Sequence, residues 1–140
     1  TDKTNKINKI IMKKIKSFLI KVFHLFNLML IIFYLYPGSI LGYLLYNDLR
    51  IQPEITGYLL FSSNHFYAFI VLSILGVLAY NNTKSISFLT NYLFLLSIIL
   101  ELFHTIIPNR NFEWRDLFGN ILGVILVIII YKIKQKVWIK

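Results

Sequence analysis

Six side chains that can do acid–base, ligand or anion chemistry fall inside one short stretch of an otherwise oily chain. They are Glu101, His104, Arg110, Arg115, Asp116 and Asn120, in ELFHTIIPNRNFEWRDLFGN. Glu101 and His104 are three residues apart and so share a helical face. A Glu-x-x-His pair occurs in helical metal sites, but those sites draw further carboxylates from other helices. Only His65 stands ready as a third ligand, so neither a metal nor a cofactor is expected. Asp116, Asn120 and Gly123 fall at i, i+4 and i+7, one stripe of a helix. Asp116 near a helix start is favoured by the dipole and can act as a cap. Asn120 would point an amide into a bundle, and Gly123 would let another helix approach closely. Arg110 and Arg115 are cations able to pair with Glu101 or Asp116, or to meet an external anion.

Outside this stretch the chemistry is sparser. His65, in SSNHFYAF, reads first as an interfacial hydrogen-bonding residue and second as a base. Ser62 and Ser63 are its sequence neighbours, which does not create a charge-relay geometry. His24 with Asn27, and Thr90 with Asn91, read as interhelical hydrogen-bonding residues. No nucleophile motif, phosphate loop or dinucleotide fingerprint is present, and the reading leans away from an enzyme.

The elements that must position these groups follow from composition. The chain has 140 residues, enough for one domain, with 57% hydrophobic residues and a mean hydropathy of +0.67. That is more apolar than soluble domains usually are. Absence of cysteine excludes disulfides and thiolate metal sites. The net charge of +9 sits mainly at the ends, with Lys3, Lys6, Lys9, Lys13, Lys14, Lys16 and Lys21 in front and Lys132, Lys134, Lys136 and Lys140 behind. Basic flanks around apolar spans are cytoplasmic anchors facing anionic lipid rather than a nucleic-acid surface, so no nucleic-acid partner is expected.

A membrane helix needs about 20 predominantly apolar residues, and four stretches qualify: Phe18 to Tyr36, Leu59 to Tyr80, Ile86 to Ile107 and Asp116 to Tyr131. Unbroken apolar runs indicate helices, since barrel strands would alternate. Tyr34, Tyr36, Tyr58, Tyr80, Trp114 and Tyr131 lie at the expected borders, where amphipathic rings favour the headgroup level. The first span resembles a secretory signal, but no small-x-small cleavage site follows it, and a retained anchor is expected. Met12 is a plausible start codon, which would make the residues before it an extension. The repeat of Ile7, Ile10, Ile11 and Ile15 among lysines fits either a helix lying on an anionic surface or a solvated basic tail.

The expected architecture is therefore an all-α, four-helix integral membrane bundle with cytoplasmic N and C termini. It comprises a basic segment (1–17), the transmembrane domain (18–131) and a basic tail (132–140). The 81–85 turn lies inside, and the 37–58 and 108–115 loops lie outside. SILGYLLYNDL in the first external loop is too short to span and is expected as a re-entrant or surface helix. Glu101, seven residues before Pro108, sits about 10 Å along its helix from the bend. A charge at that depth must face the bundle or a wet cavity, so Glu101, His104, Arg110, Asp116, Asn120 and His65 should converge under the outer surface.

The spaced pattern Glu101, His104, Pro108, Arg110, Asp116, Asn120 and Gly123 resembles the signature of the VanZ-like family of small bacterial membrane proteins. NHFYAFIVLSILG is similar to that family's histidine-led second helix. Departures are Asn109 for the usual glycine, His104 for a common glutamine, Val127 for a small residue, and Ser63 and Asn64 for acidic or lysine residues. The resemblance implies a multi-pass protein of the bacterial inner membrane, linked through the family's namesake to glycopeptide resistance. Three functions compete. The first is non-enzymatic binding of membrane lipids, a lipid-linked envelope precursor or a glycopeptide-like amphiphile, with Arg110 as anion contact. The second is service as an accessory subunit of a larger membrane assembly, with the cluster as a structural latch. The third is a membrane-embedded hydrolase with Glu101 or His104 as base.

Overall fold

The computed structural model describes residues 2–57, 59–81 and 83–138. Tyr58, Asn82 and Lys140, on which some of these expectations fall, lie outside the described residues. Five helices form: α1 (Asp2–Leu35), α2 (Ile40–Tyr46), α3 (Ser63–Ala79), α4 (Thr83–Phe103) and α5 (Trp114–Trp138), with no strand among the described residues. Three of them are long and apolar enough to cross a membrane: Thr4–Leu35, Lys84–Phe103 and Trp114–Val137. The second expected span, Leu59 to Tyr80, is shorter than expected: α3 has 17 residues, about 25 Å at 1.5 Å per residue against a hydrocarbon core of about 30 Å, so it is not among the three membrane-length helices.

The amino-terminal segment is helical and exposed. The lysine-rich stretch is part of α1, continuous with the first apolar span. Its lysines and isoleucines all favour or tolerate helix, and no breaker occurs before Pro37-Gly38. There the chain turns, with Gly38 at φ +99, a conformation open to glycine. The short helix expected in the 37–58 loop is present as α2, capped by Ser39 Oγ accepting from the Gly42 amide at 2.9 Å. Leu41, Tyr43, Leu44, Leu45 and Tyr46 stand exposed on it. The third span stops at Phe103, earlier than expected, because the amides of His104, Thr105 and Ile106 bond back three residues and tighten the final turn.

The long helices alternate in direction. At one end Tyr34 of α1 meets His65 of α3 and Asn120 of α5. At the other end His24 and Asn27 of α1 meet Tyr80 and Tyr92, and Tyr131 of α5 meets the Asn81 carbonyl. The tightest pairing is α3 on α5. A Cβ at Gly119 would lie 2.6 Å from the Ser62 carbonyl oxygen, and one at Gly123 would lie 2.6 Å from that of Phe66. The two glycines, four apart, thus let backbone meet backbone, the small-xxx-small contact of membrane helices.

Polarity is reversed relative to a protein in water. His65, Ser73, Ser97, Glu101, His104, Asp116 and Asn120 are buried, while Leu25, Ile32, Leu78, Phe88, Leu95, Ile129 and many others are exposed. Apolar exposure on this scale marks contact with lipid or with other protein, and in lipid only the polar groups would need partners inside. Phe69, Leu72, Leu93 and Val124 fill the apolar centre between the helices.

Candidate functional site

The alternation of helix directions gathers four helix ends at one place: the last turn of α1, the first turns of α3 and α5, and the last turn of α4. His65, Glu101, His104, Asp116 and Asn120 are all buried there. Glu101 is fully enclosed. Its Oε1 accepts from the Glu113 amide at 3.0 Å and lies 3.3 Å from His104 Nδ1. Its Oε2 makes no hydrogen bond and lies 4.0 Å from His65 Nδ1. His65 Nε2 is 3.3 Å from Asp116 Oδ2. His104 turns its Nε2 to the Tyr34 carbonyl oxygen at 3.1 Å, which ties α4 to α1.

A single chain of hydrogen bonds runs through the cluster, and its two ends set its direction. Arg110 can only donate, and its Nη1 does so to Gln52 Oε1 at 3.3 Å. The Gln52 amide then donates to His65 Nε2 at 3.1 Å. His65 therefore carries its proton on Nδ1, which donates to Tyr34 Oη at 3.0 Å. Tyr34 donates to Asn120 Oδ1 at 2.7 Å, and Asn120 Nδ2 donates to the Ser97 carbonyl, which can only accept. The chain joins four helices and the two loops that carry Gln52 and Arg110.

Two of these participants, Tyr34 and Gln52, were not among the residues expected at the site. Tyr34 reads in sequence as a border aromatic, but it is buried and stacked on the His104 ring. The stripe Phe23, Asn27, Leu30, Tyr34, at helical spacing along α1, is the signal that marks it as inward-facing. Gln52 carries no such signal. It is placed by Asn64, whose side chain bonds the Ile55 amide and the Pro53 carbonyl, and by Ser63 Oγ, which accepts from the Thr56 amide.

Other expectations need correction. Arg110 and Arg115 do not pair with Glu101 or Asp116. Arg115 reaches Glu54 at 3.3 Å and the Leu59 carbonyl, and Arg110 reaches Gln52 and the Phe33 carbonyl. Both arginines lie above the cluster, where loop acceptors are nearer than the buried carboxylates. Asp116 is not a cap: it sits within the first turn of α5 and turns its carboxylate towards His65. Thr90 bonds its own helix at the Ile86 carbonyl, and Asn91 is exposed, so neither joins two helices as expected. His24 and Asn27 do make interhelical bonds, to Tyr80 and Tyr92.

A cavity of about 240 Å³ opens above the cluster. Its polar floor is Tyr34, His65, His104, Gln52 and Arg110, and its apolar wall is Phe33 with Ile40, Leu41 and Leu44 of α2. Burial pushes the Arg110 guanidinium below its ordinary range, while Asp116, Tyr34 and Glu101 act in the opposite direction. Its Nε is buried without a partner. A larger cavity of about 460 Å³, lined by His24, Asn27, Tyr80, Lys84 and Tyr92, lies at the opposite end of the helices, away from the buried carboxylates.

One nitrogen of His65 and one carboxylate oxygen each of Glu101 and Asp116 lie within 4.8 Å of one another, a set that can hold a metal ion. His104 stands behind Glu101 and is not part of that set. Fold and site together define a class: an all-α protein with helices able to cross a membrane and a buried His/Glu/Asp cluster where helix ends meet. No protein-family model, curated protein or solved structure matches the chain.

Proposed function

We propose that the chain is a VanZ-like multi-pass protein of the bacterial inner membrane, with α1, α3, α4 and α5 crossing the bilayer and both ends cytoplasmic. The cavity beneath α2 then faces outward and binds the anionic headgroup of a lipid or lipid-linked amphiphile. The lysines at both chain ends support that orientation. The family reading is supported by the burial of Glu101, His104, Asp116 and Asn120 and by the close approach at Gly123. Asn109, in place of the family's glycine, has φ 60. That is the left-handed region, where asparagine is among the few side chains at ease.

The observation that carries the binding reading is Arg110. Its guanidinium lines the cavity and bonds only neutral oxygens, and among the described residues no carboxylate pairs with it. A desolvated guanidinium facing a cavity is a receptor for a phosphate-type oxyanion, and the apolar wall beside it suits an attached chain. Native mass spectrometry of the purified protein, with phosphatidylglycerol or phosphatidylcholine added, tests this. Phosphatidylglycerol should be retained in preference, and Arg110→Ala should lose about tenfold in that preference, or ~1.4 kcal/mol. Inorganic phosphate that displaces the lipid would show that the headgroup oxyanion is what is read. Equal retention by Arg110→Ala and the parent protein would refute the reading.

A further inference from the structure

We propose that His65, Glu101 and Asp116 form a binding site for a divalent transition-metal ion of the zinc class. The three ligands come from three different helices, α3, α4 and α5, and their donor atoms already lie within 4.8 Å of one another. Zinc bonds to nitrogen and oxygen are about 2.0 to 2.2 Å long, which sets tetrahedral ligands about 3.4 Å apart. His65 Nε2 and Asp116 Oδ2 are at that spacing, 3.3 Å. Glu101 Oε2 lies 4.0 Å from the other ring nitrogen, Nδ1, and with one donor atom from each residue within 4.8 Å, Glu101 must move inward to close on an ion at Nε2.

Charge points the same way. Two carboxylates are buried here, Glu101 at 0% and Asp116 at 5% exposure. Among the described residues no lysine or arginine pairs with either, since Arg115 is engaged by Glu54 and Arg110 by Gln52 and Phe33. Glu101 has the Glu113 amide and His104, and Asp116 faces His65, but carboxylates buried without a lysine or arginine are costly, and one divalent ion would balance both. Independently of charge, Glu101 Oε2 is wholly enclosed and without a hydrogen-bond partner. Its sister oxygen is oriented by His104 and the Glu113 amide, the kind of outer support that fixes a metal ligand.

The hydrogen-bond chain adds a third reason. With the proton of His65 on Nδ1, its Nε2 is an acceptor that takes the Gln52 amide at 3.1 Å while a second acceptor, the carboxylate oxygen Asp116 Oδ2, lies only 3.3 Å away. A cation placed there turns that opposition into coordination. The Gln52 amide, on the outer loop, is the group such an ion would displace from Nε2. Without cysteine the ligand set is nitrogen and oxygen only, which suits zinc, cobalt or manganese rather than copper(I). The site does not depend on the lipid reading, because its ligands are complete without Arg110.

The test uses the full chain, purified in detergent, stripped with chelator and re-equilibrated with zinc. Elemental analysis should give about one zinc per chain, and zinc should raise the unfolding temperature. Glu101→Ala and His65→Ala should each weaken zinc binding by at least tenfold, while His24→Ala, at the far end of the helices, should leave it unchanged. If the ligand variants do not fold, cobalt decides the matter in the parent protein. A ligand-field spectrum of a low-coordinate nitrogen and oxygen site supports the proposal, and the spectrum of hydrated cobalt alone overturns it. Folded parent protein with no bound zinc and no thermal shift overturns it, as does undiminished binding by folded Glu101→Ala and His65→Ala.

Discussion

Replacing both Gly119 and Gly123 by alanine tests the contact that sets the depth and width of the site. Each added Cβ would meet a carbonyl oxygen of α3 at 2.6 Å, where ordinary contact begins near 3.4 Å. Backbone oxygens cannot swing aside as a side-chain tip can, so α3 and α5 must separate by about 0.8 Å. Overpacking of this kind costs about 1 to 3 kcal/mol per position, and the gain in helix propensity returns about 1 kcal/mol for each. The clash therefore wins, with a net loss of about 2 kcal/mol for the pair. The same shift would lengthen the 3.3 Å contact between His65 and Asp116, so ligand binding at the cluster should weaken along with stability. Denaturant titration in micelles, followed by far-ultraviolet circular dichroism, gives the measurement. Gly57→Ala, where no atom lies within 4 Å of the new Cβ, is the control and should stay within about 0.5 kcal/mol of the parent. A double variant as stable as the parent, or more stable, would show that propensity outweighs packing and that the helices do not meet backbone to backbone.

Two other perturbations follow from the same geometry. Tyr34→Phe removes the hydroxyl that joins His65 to Asn120 and leaves a buried donor and acceptor unmet. The expected loss is about 1 to 2 kcal/mol in the same titration, and the effect should be non-additive with Asn120→Ala by at least about 0.5 kcal/mol; strict additivity would deny the coupling. At the bend between α4 and α5, Asn109→Gly should be neutral or slightly stabilising, whereas Asn109→Val should cost about 1 to 2 kcal/mol, because a branched side chain is strained at φ 60.

Much of the fold was legible in the residues. Apolar runs located the helices, Pro37-Gly38 marked the end of the first, and a short outer helix was expected where α2 stands. The convergence of Glu101, His104, Asp116, Asn120 and His65 followed from alternating helix directions. Boundaries were less secure: α1 absorbs the basic segment, α4 ends at Phe103, and α5 runs on to Trp138. Within the site the partners were misjudged. Two arginines near two acids suggested ion pairs, but Arg110 and Arg115 are carried by a loop and a helix start that put other acceptors closer. Tyr34 looked like a border residue because its type suits a border, although its place in a buried stripe was available to be read.

Hydropathy, end charge and helical spacing are sums over neighbours along the chain, so sequence alone determined an all-α chain with membrane-length helices and polar residues sharing faces. Which atoms touch depends on how far apart the helices settle and at what register, and that is decided by contacts between residues distant in the chain. The two glycines of α5 draw α3 close enough for His65 to reach Asp116, and the loop tethered by Ser63 and Asn64 brings Gln52 over the same ring. Only the tertiary structure could turn a list of polar residues into a directed chain of hydrogen bonds beside a triad of possible ligands.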